Sequence, residues 1–252
     1  CCVIACPVTG IDHIDVETCS QYGIKVISLK GETEFLKEIR ATAELTIGIT
    51  LALIRKIPEA VNSVRQGAWK RDLFQGTELH RKTVGIVGMG RLGKIVAGYF
   101  KAFNMNVLGY DIRPDFPDNL AIKVNRLDDL ISKSDIVSLH VNYDDTTKNL
   151  IGKEEFSYFK PGSILINTSR GGVVDQQALI DALNKKQLAG AAVDVLDGEP
   201  DITKDHPLIK YAKNNSNLLI VPHIGGNTKE SFEKTEVFIA KKVVEYLNNK
   251  NL

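Results

Sequence analysis

The sequence predicts an α/β chain built on a doubly wound parallel sheet, and two features of its pattern predict it. The first is the stretch KTVGIVGMGRLGKIVAGYFKAFNMNVLGYD, residues 82–111. It holds a short β-branched apolar run, three closely spaced glycines, a segment of helical character and a second apolar run. The second feature is the alternation of strand and helix signals that continues to the end of the chain. Such alternation calls for parallel strands joined by helices that cover both faces of the sheet.

Taken in order, Cys2 to Cys6 reads as a strand, with a turn at Thr9-Gly10. Asp15 to Gln21 reads as a short helix stopped by Gly23, and Ile24 to Leu29 as a second strand. Lys30 to Arg40 is charged and reads as a connector between domains. A long helix is expected over Ala41 to Val64, with apolar residues at Leu45, Ile49, Leu53 and Ile57. Pro58 lies inside that helix and predicts a kink or a break. Gly67 to Lys82 reads as a surface connection. Thr83 to Val87 is a buried strand, Lys94 to Phe103 a helix and Val107 to Tyr110 the next strand. Strands then follow at Ala121–Val124, Ile136–His140, Ser163–Thr168, Ala189–Val195 and Leu218–Val221. Helices are expected at Asp128–Lys133, Glu154–Phe159 and Gln176–Lys186. A final helix over Thr228–Asn248 carries Phe232, Val237, Ile239, Val243 and Leu247 on one apolar face.

Composition narrows the class. The 252 residues are 43% hydrophobic and 25% charged with a formal net charge of +1, which leaves no electrostatic footprint for nucleic acid or an anionic membrane. The richest apolar run, Leu45 to Ile57, is interrupted by Gly48 and contains Arg55 and Lys56, so it reads as a buried helix rather than a membrane span. Cys1, Cys2, Cys6 and Cys19 match no zinc spacing. They read as buried reduced thiols of a cytoplasmic protein, and no metal site is expected.

The glycine pattern carries the first chemical inference. Gly88, Gly90 and Gly93 stand in G-x-G-x-x-G register between a strand and a helix. In a dinucleotide site the first makes the turn, the second lets backbone approach the pyrophosphate, and the third lets the helix pack on the strand. The helix N-terminus presents N–H groups and a positive dipole end to phosphate. Asp111, at the end of the second strand, suits the hydroxyls of an adenosine ribose and favours NAD over NADP. Arg113, just beyond, is the feature that keeps NADP open.

Three further segments follow strands: Asn167-Thr168-Ser169-Arg170-Gly171-Gly172, Asp197-Gly198-Glu199-Pro200 and Pro222-His223-Ile224-Gly225-Gly226. Each alone has a structural explanation as a surface ion pair, a turn or a loop histidine. Together, on a dinucleotide fold, they form a dehydrogenase constellation. Arg170 presents a fork to a substrate carboxylate. His223 takes the hydroxyl proton and returns it in the reverse direction. Glu199 fixes the imidazole tautomer and raises its pKa.

These motifs, with ATAELTIGITLALIRKIPEA, SDIVSLHVNYDDTTKNLIG, the run from FKPGSILINTSRGGVVD to AAVDVLDGEP and NLLIVPHIGGNT, stand in the order found in one family. The sequence resembles the D-isomer-specific 2-hydroxyacid dehydrogenases. The resemblance implies Arg170, Glu199 and His223 as catalytic residues. It implies NAD contacts from Gly88, Met89, Gly90, Arg91, Leu92 and Gly93, from Asp111, and from His140, Val141 and Asn142. Further contacts are implied at Thr147, Thr168, Ser169, Arg170, Asp194, His223, Gly225 and Gly226. Val8, Thr9 and Gly10 are implied to meet the substrate carboxylate beside Arg170 and His223.

The resemblance further implies a Rossmann-type NAD-binding domain over 31–226 and a partial flavodoxin-like substrate domain. Residues 1–30 would be the remnant of the latter, and 227–252 a C-terminal helix returning to it. A homodimer through the helix at 41–57 is implied as well. The ATAELT and GIDHIDVETCSQYGIKV stretches lean the substrate towards D-3-phosphoglycerate, at the start of serine synthesis. D-glycerate/hydroxypyruvate and D-lactate are the alternatives, and a dinucleotide-sensing, corepressor-like binding role is the alternative of another class. Arg81 stands where the family commonly has glycine, so a left-handed backbone there would be mildly strained.

Overall fold

The computed structural model describes residues 1–11 and 13–250; positions 251 and 252 of the expected C-terminal segment lie outside the described residues. The chain divides into two units, one made of residues 1–41 with 226–252 and the other of residues 42–225.

In the larger unit, seven strands form one wholly parallel sheet: β3 (Thr83–Val87), β4 (Asn106–Tyr110), β5 (Ile122–Lys123), β6 (Ile136–Leu139), β7 (Ser163–Asn167), β8 (Leu188–Val193) and β9 (Leu218–Ile220). Their spatial order is β5-β4-β3-β6-β7-β8-β9. The period of two along each strand divides the core into two clusters. Val84 and Ile86 face one, with Ile136, Ile164, Ile166 and Ala192. Val87, Val137, Leu139, Leu165, Ala191 and Val193 face the other.

Helices close both faces. The first cluster is covered by α3 (Ala41–Ile54), through Ala43 and Ile49, and by α5 (Arg91–Ala102), through Val96, Ala97 and Phe100. The second is covered by α6 (Leu127–Lys133), α7 (Lys153–Tyr158), α8 (Gln176–Asn184) and α9 (Pro207–Ala212), through Leu130, Phe156, Leu179, Leu183 and Leu208. Full burial of side chains such as Phe100 and Leu130 contributes about 1.5–3 kcal/mol each.

The helix expected over 41–64 breaks into α3 and α4 (Ile57–Arg65). The break falls at Lys56, which is left-handed (φ 51°), and leaves Pro58 in the first turn of α4, where its missing N–H is no loss. Helix α9 has no counterpart in the expected elements.

The smaller unit pairs β1 (Val3–Cys6) with β2 (Lys25–Ser28) in parallel, with α1 (Val16–Gln21) between them. Here the connector expectation for 30–40 fails. Those residues fold into α2 (Thr33–Leu36), and Leu36 is buried with Ile27, Leu29 and Ile239 of α10 (Lys229–Asn249). Phe35 stacks on Phe238 of α10 with ring centroids 3.9 Å apart. The division therefore falls at 41/42, because the apolar residues in this charged stretch bury within the smaller unit.

The apolar face foreseen on α10 is only partly covered: Ile239 is buried, while Phe232 and Val237 are exposed. Cys6 and Cys19 are buried free thiols, but Cys1 and Cys2 are exposed because they precede β1, against the expectation for all four. Among the described residues no helix is long and apolar enough to cross a membrane, and no cluster of metal-ligating side chains occurs.

Candidate active site

The sheet order reverses beside β3, and ligands in open α/β sheets bind at such a reversal, beyond the carboxyl ends of the strands. Gly88 and His140 meet there. Gly88 is left-handed (φ 92°), and a Cβ on it would lie 2.5 Å from the carbonyl oxygen of His140. A Cβ on Gly93 would lie 2.0 Å from the carbonyl oxygen of Gly88, so α5 can pack this close to β3 only with glycine there. Gly90 differs: the nearest atom to its missing Cβ is Arg113 Nη2, at 3.6 Å. The protein's own packing leaves the space above Gly90 open, and Gly90 adds no side-chain cap to the first turn of α5, formed by Arg91 and Leu92.

Met89 is buried and donates its N–H to Asp111 Oδ2 at 2.7 Å. Burial pushes the Asp111 carboxyl up, but hydrogen bonds from Arg113 and from the Met89 amide outweigh it and hold the group below the usual range. An open glycine turn at a helix N-terminus beside a charged carboxylate fits the pyrophosphate and ribose of NAD.

The loop after β6 is fixed from within. The His140 N–H donates to Val87 O at 2.7 Å, and its Nε2 pairs with Ser138 Oγ at 2.8 Å. Burial pushes the His140 pKa down to about 3, so this imidazole is neutral and unsuited to act as a general acid near neutral pH. Thr147 Oγ1 donates to Asn142 O at 2.7 Å and accepts the Asp144 N–H, closing the loop that follows Val141. Thr168 and Ser169 are buried, with their hydroxyls engaged by Thr46 Oγ1 and Asn167 Oδ1 respectively.

Beyond β7, β8 and β9 lie Arg170, Glu199 and His223. Asn167 shapes the first loop, because its Oδ1 accepts the Ser169 N–H and its Nδ2 donates to Arg170 O at 2.9 Å. Glu199 Oε1 accepts the Leu196 N–H at 2.8 Å, and Oε2 pairs with His223 Nδ1. Hydrogen bonding to Glu199 raises the His223 pKa above its ordinary value, against burial and the Arg170 charge. Burial pushes Glu199 up, but His223, the Leu196 amide and the positive charge of Arg170 outweigh it and hold the carboxyl low. The structure thus brings together the three side chains that the sequence singles out.

Asp194, at the end of β8, anchors the histidine loop. Its Oδ1 and Oδ2 accept the N–H groups of Ile224 and Gly225 at 2.7 and 2.8 Å, and its carbonyl accepts that of His223 at 2.8 Å. Burial raises its carboxyl pKa. The clasping roles of Asp194 and Asn167 were not foreseen. Their place at strand ends was the available sign, with Ser, Arg and Gly following Asn167 closely. Val8, Thr9 and Gly10 follow β1 in the smaller unit, where Val8 O accepts the Leu29 N–H, and Gly226 opens the return segment of that same unit.

Residues 47–225 match the family described as D-isomer specific 2-hydroxyacid dehydrogenase, NAD binding domain. The D-3-phosphoglycerate dehydrogenase of Escherichia coli K12 is 39% identical over 98% of this chain and 58% of its own length. That of Archaeoglobus fulgidus is 38% identical over 93% of this chain and 43% of its own length. This chain therefore spans about half the length of the curated relatives it matches. Among solved structures, the D-lactate dehydrogenase of Aquifex aeolicus, complexed with NAD and lactic acid, has a TM-score of 0.85 at 32% identity. That match covers 98% of this chain and 76% of the other. The family match covers well over half of the sequence, and the chain belongs to the D-isomer-specific 2-hydroxyacid dehydrogenase family.

Proposed function

We propose that the protein containing this chain interconverts a D-2-hydroxy acid and its 2-oxo acid, using NAD. The observation that carries this reading is the His223–Glu199 pair with the Arg170 charge acting on both, beyond the carboxyl ends of strands in the same sheet that carries the glycine cradle. Bound NAD supplies the hydride acceptor for oxidation and the donor for reduction. Gly88, Met89, Gly90, Arg91, Leu92, Gly93 and Asp111 would hold its pyrophosphate and adenosine ribose.

Arg170 orients the substrate by its carboxylate. His223 receives the hydroxyl proton at Nε2 during oxidation, since Nδ1 is engaged by Glu199. Glu199 stabilises the imidazolium so formed. Asp194 keeps the histidine loop in place. Asn142, through its carbonyl, and Thr147, Thr168 and Ser169, through their hydroxyls, belong to internally tied loops that shape the walls.

D-3-phosphoglycerate is the substrate we favour, since D-3-phosphoglycerate dehydrogenases match nearly the whole chain at 35–39% identity. Homodimerisation through the helix at 41–57 is supported by the exposed apolar Ile57 at its end and by Val61, Val64, Trp69 and Leu73 beyond it. The test is NADH formation by the natural protein with D-3-phosphoglycerate, D-glycerate and D-lactate. The proposal expects the highest kcat/KM with phosphoglycerate. A higher value with another acid changes the substrate, and silence on all three, with NADH bound, refutes the dehydrogenase reading.

A further inference from the structure

The carboxylate of Asp111 is fully engaged by the protein itself. Oδ2 accepts the Met89 N–H at 2.7 Å and Arg113 Nη2 at 2.8 Å. Oδ1 accepts the Arg113 backbone N–H at 2.9 Å and its Nε at 3.0 Å. A carboxylate offers about four lone-pair directions, so these donors fill it, and two of them belong to one guanidinium. Ribose hydroxyls can hydrogen-bond to Asp111 only where the Arg113 fork gives way.

That fork is free to do so. The Arg113 side chain is 47% exposed against 7% for Asp111, and it follows the exposed Ile112 on the loop after β4. Its Nη2 lies 3.6 Å from where a Gly90 Cβ would be, so the guanidinium hangs over the turn that would cradle the pyrophosphate. A fork displaced from Asp111 remains tethered two residues from that carboxylate.

We propose that Arg113 sets cofactor specificity here, admitting the 2′-phosphorylated dinucleotide NADP alongside NAD. A bare carboxylate at this rim repels a 2′-phosphate. Paired with Arg113 it is neutralised, and the planar fork that grips one oxyanion bidentately can turn to grip the other. The proposal rests on the reading of 88–93 and Asp111 as the dinucleotide site.

The test is binding rather than turnover. NADH and NADPH are titrated by nicotinamide fluorescence into the natural protein, Arg113→Ala and Arg113→Lys, and 2′,5′-ADP against 5′-ADP by calorimetry. The natural protein should bind NADPH within about tenfold of NADH. Arg113→Ala should weaken NADPH and 2′,5′-ADP by about tenfold or more while leaving NADH unchanged or tighter. Arg113→Lys, with the charge but not the fork, should fall between. NADH binding with NADPH weaker by about a hundredfold or more, or equal effects of Arg113→Ala on both dinucleotides, overturns the role of Arg113 alone. Failure of the natural protein to bind either dinucleotide overturns the nucleotide site with it.

Discussion

His223 is left-handed (φ 51°), and the hydrogen bonds from residues 223, 224 and 225 to Asp194 hold it in that conformation. Its pairing with Glu199 has a sign that can be worked through. The carboxylate favours the imidazolium, so the His223 pKa lies above its ordinary value of 6.5. The stabilisation this gives the fold is complete below 6.5 and is lost as pH rises through the raised value. The Glu199 pKa is lowered, so its stabilising contribution is present above the ordinary value of 4.5 and is lost as pH falls through the lowered one.

Catalysis follows the same titration. Oxidation needs the neutral base, so kcat/KM for the hydroxy acid should rise with pH through the raised His223 pKa, while reduction should fall. Glu199→Gln should move that limb to lower pH and reduce kcat. An unmoved limb in the pH profile would mean that Glu199 does not act on His223. At this scale the sequence was partly legible. Arg170, Glu199 and His223 could be read because each is an ionisable side chain among turn residues. The saturation of Asp111 by Arg113 could not, because it depends on the bend after β4 and on the rotamer that the Arg113 side chain adopts.

At the scale of elements, β3, the glycine turn and α5 form the most demanding unit. Gly93→Ala would drive a methyl group into the Gly88 carbonyl, where a Cβ has only 2.0 Å. The expected outcome is a loss of about 1–3 kcal/mol in denaturant unfolding together with weaker NADH binding, as α5 is pushed off β3. Native stability and NADH affinity in that variant would show that the turn tolerates a shift. The strands of this unit could be read to within a residue or two, because burial on both faces makes them short, continuous apolar runs. Pro58 marked a break in the first long helix, but the chain bends at the left-handed Lys56, which no local signal announces. Helix α9 escaped because it is only six residues long and buries only Leu208. Pro207 in its first turn was the sign available. Arg81 does adopt the left-handed backbone (φ 61°) that its non-glycine identity made questionable.

At the scale of the whole molecule, the chain forms part of one unit, builds the larger one and returns to finish the first. The grouping of residues 31–41 with the smaller unit was hidden in the sequence. It depends on Phe35 and Leu36 meeting Phe238 and Ile239, which are distant along the chain. The parallel sheet and its motif order were legible because most strands, turns and helices of the larger unit carry their own local signals. Arg170, Glu199 and His223, the proposed catalytic set, lie within residues 42–225, as does the glycine cradle. The central claim is that His223 exchanges the substrate proton at a site that holds the dinucleotide independently of it. The most direct measurement is turnover and NADH binding in the His223→Gln variant of the natural protein. The account predicts a fall in kcat on the order of 10²–10⁴-fold with NADH affinity preserved. Turnover near the natural level would contradict it.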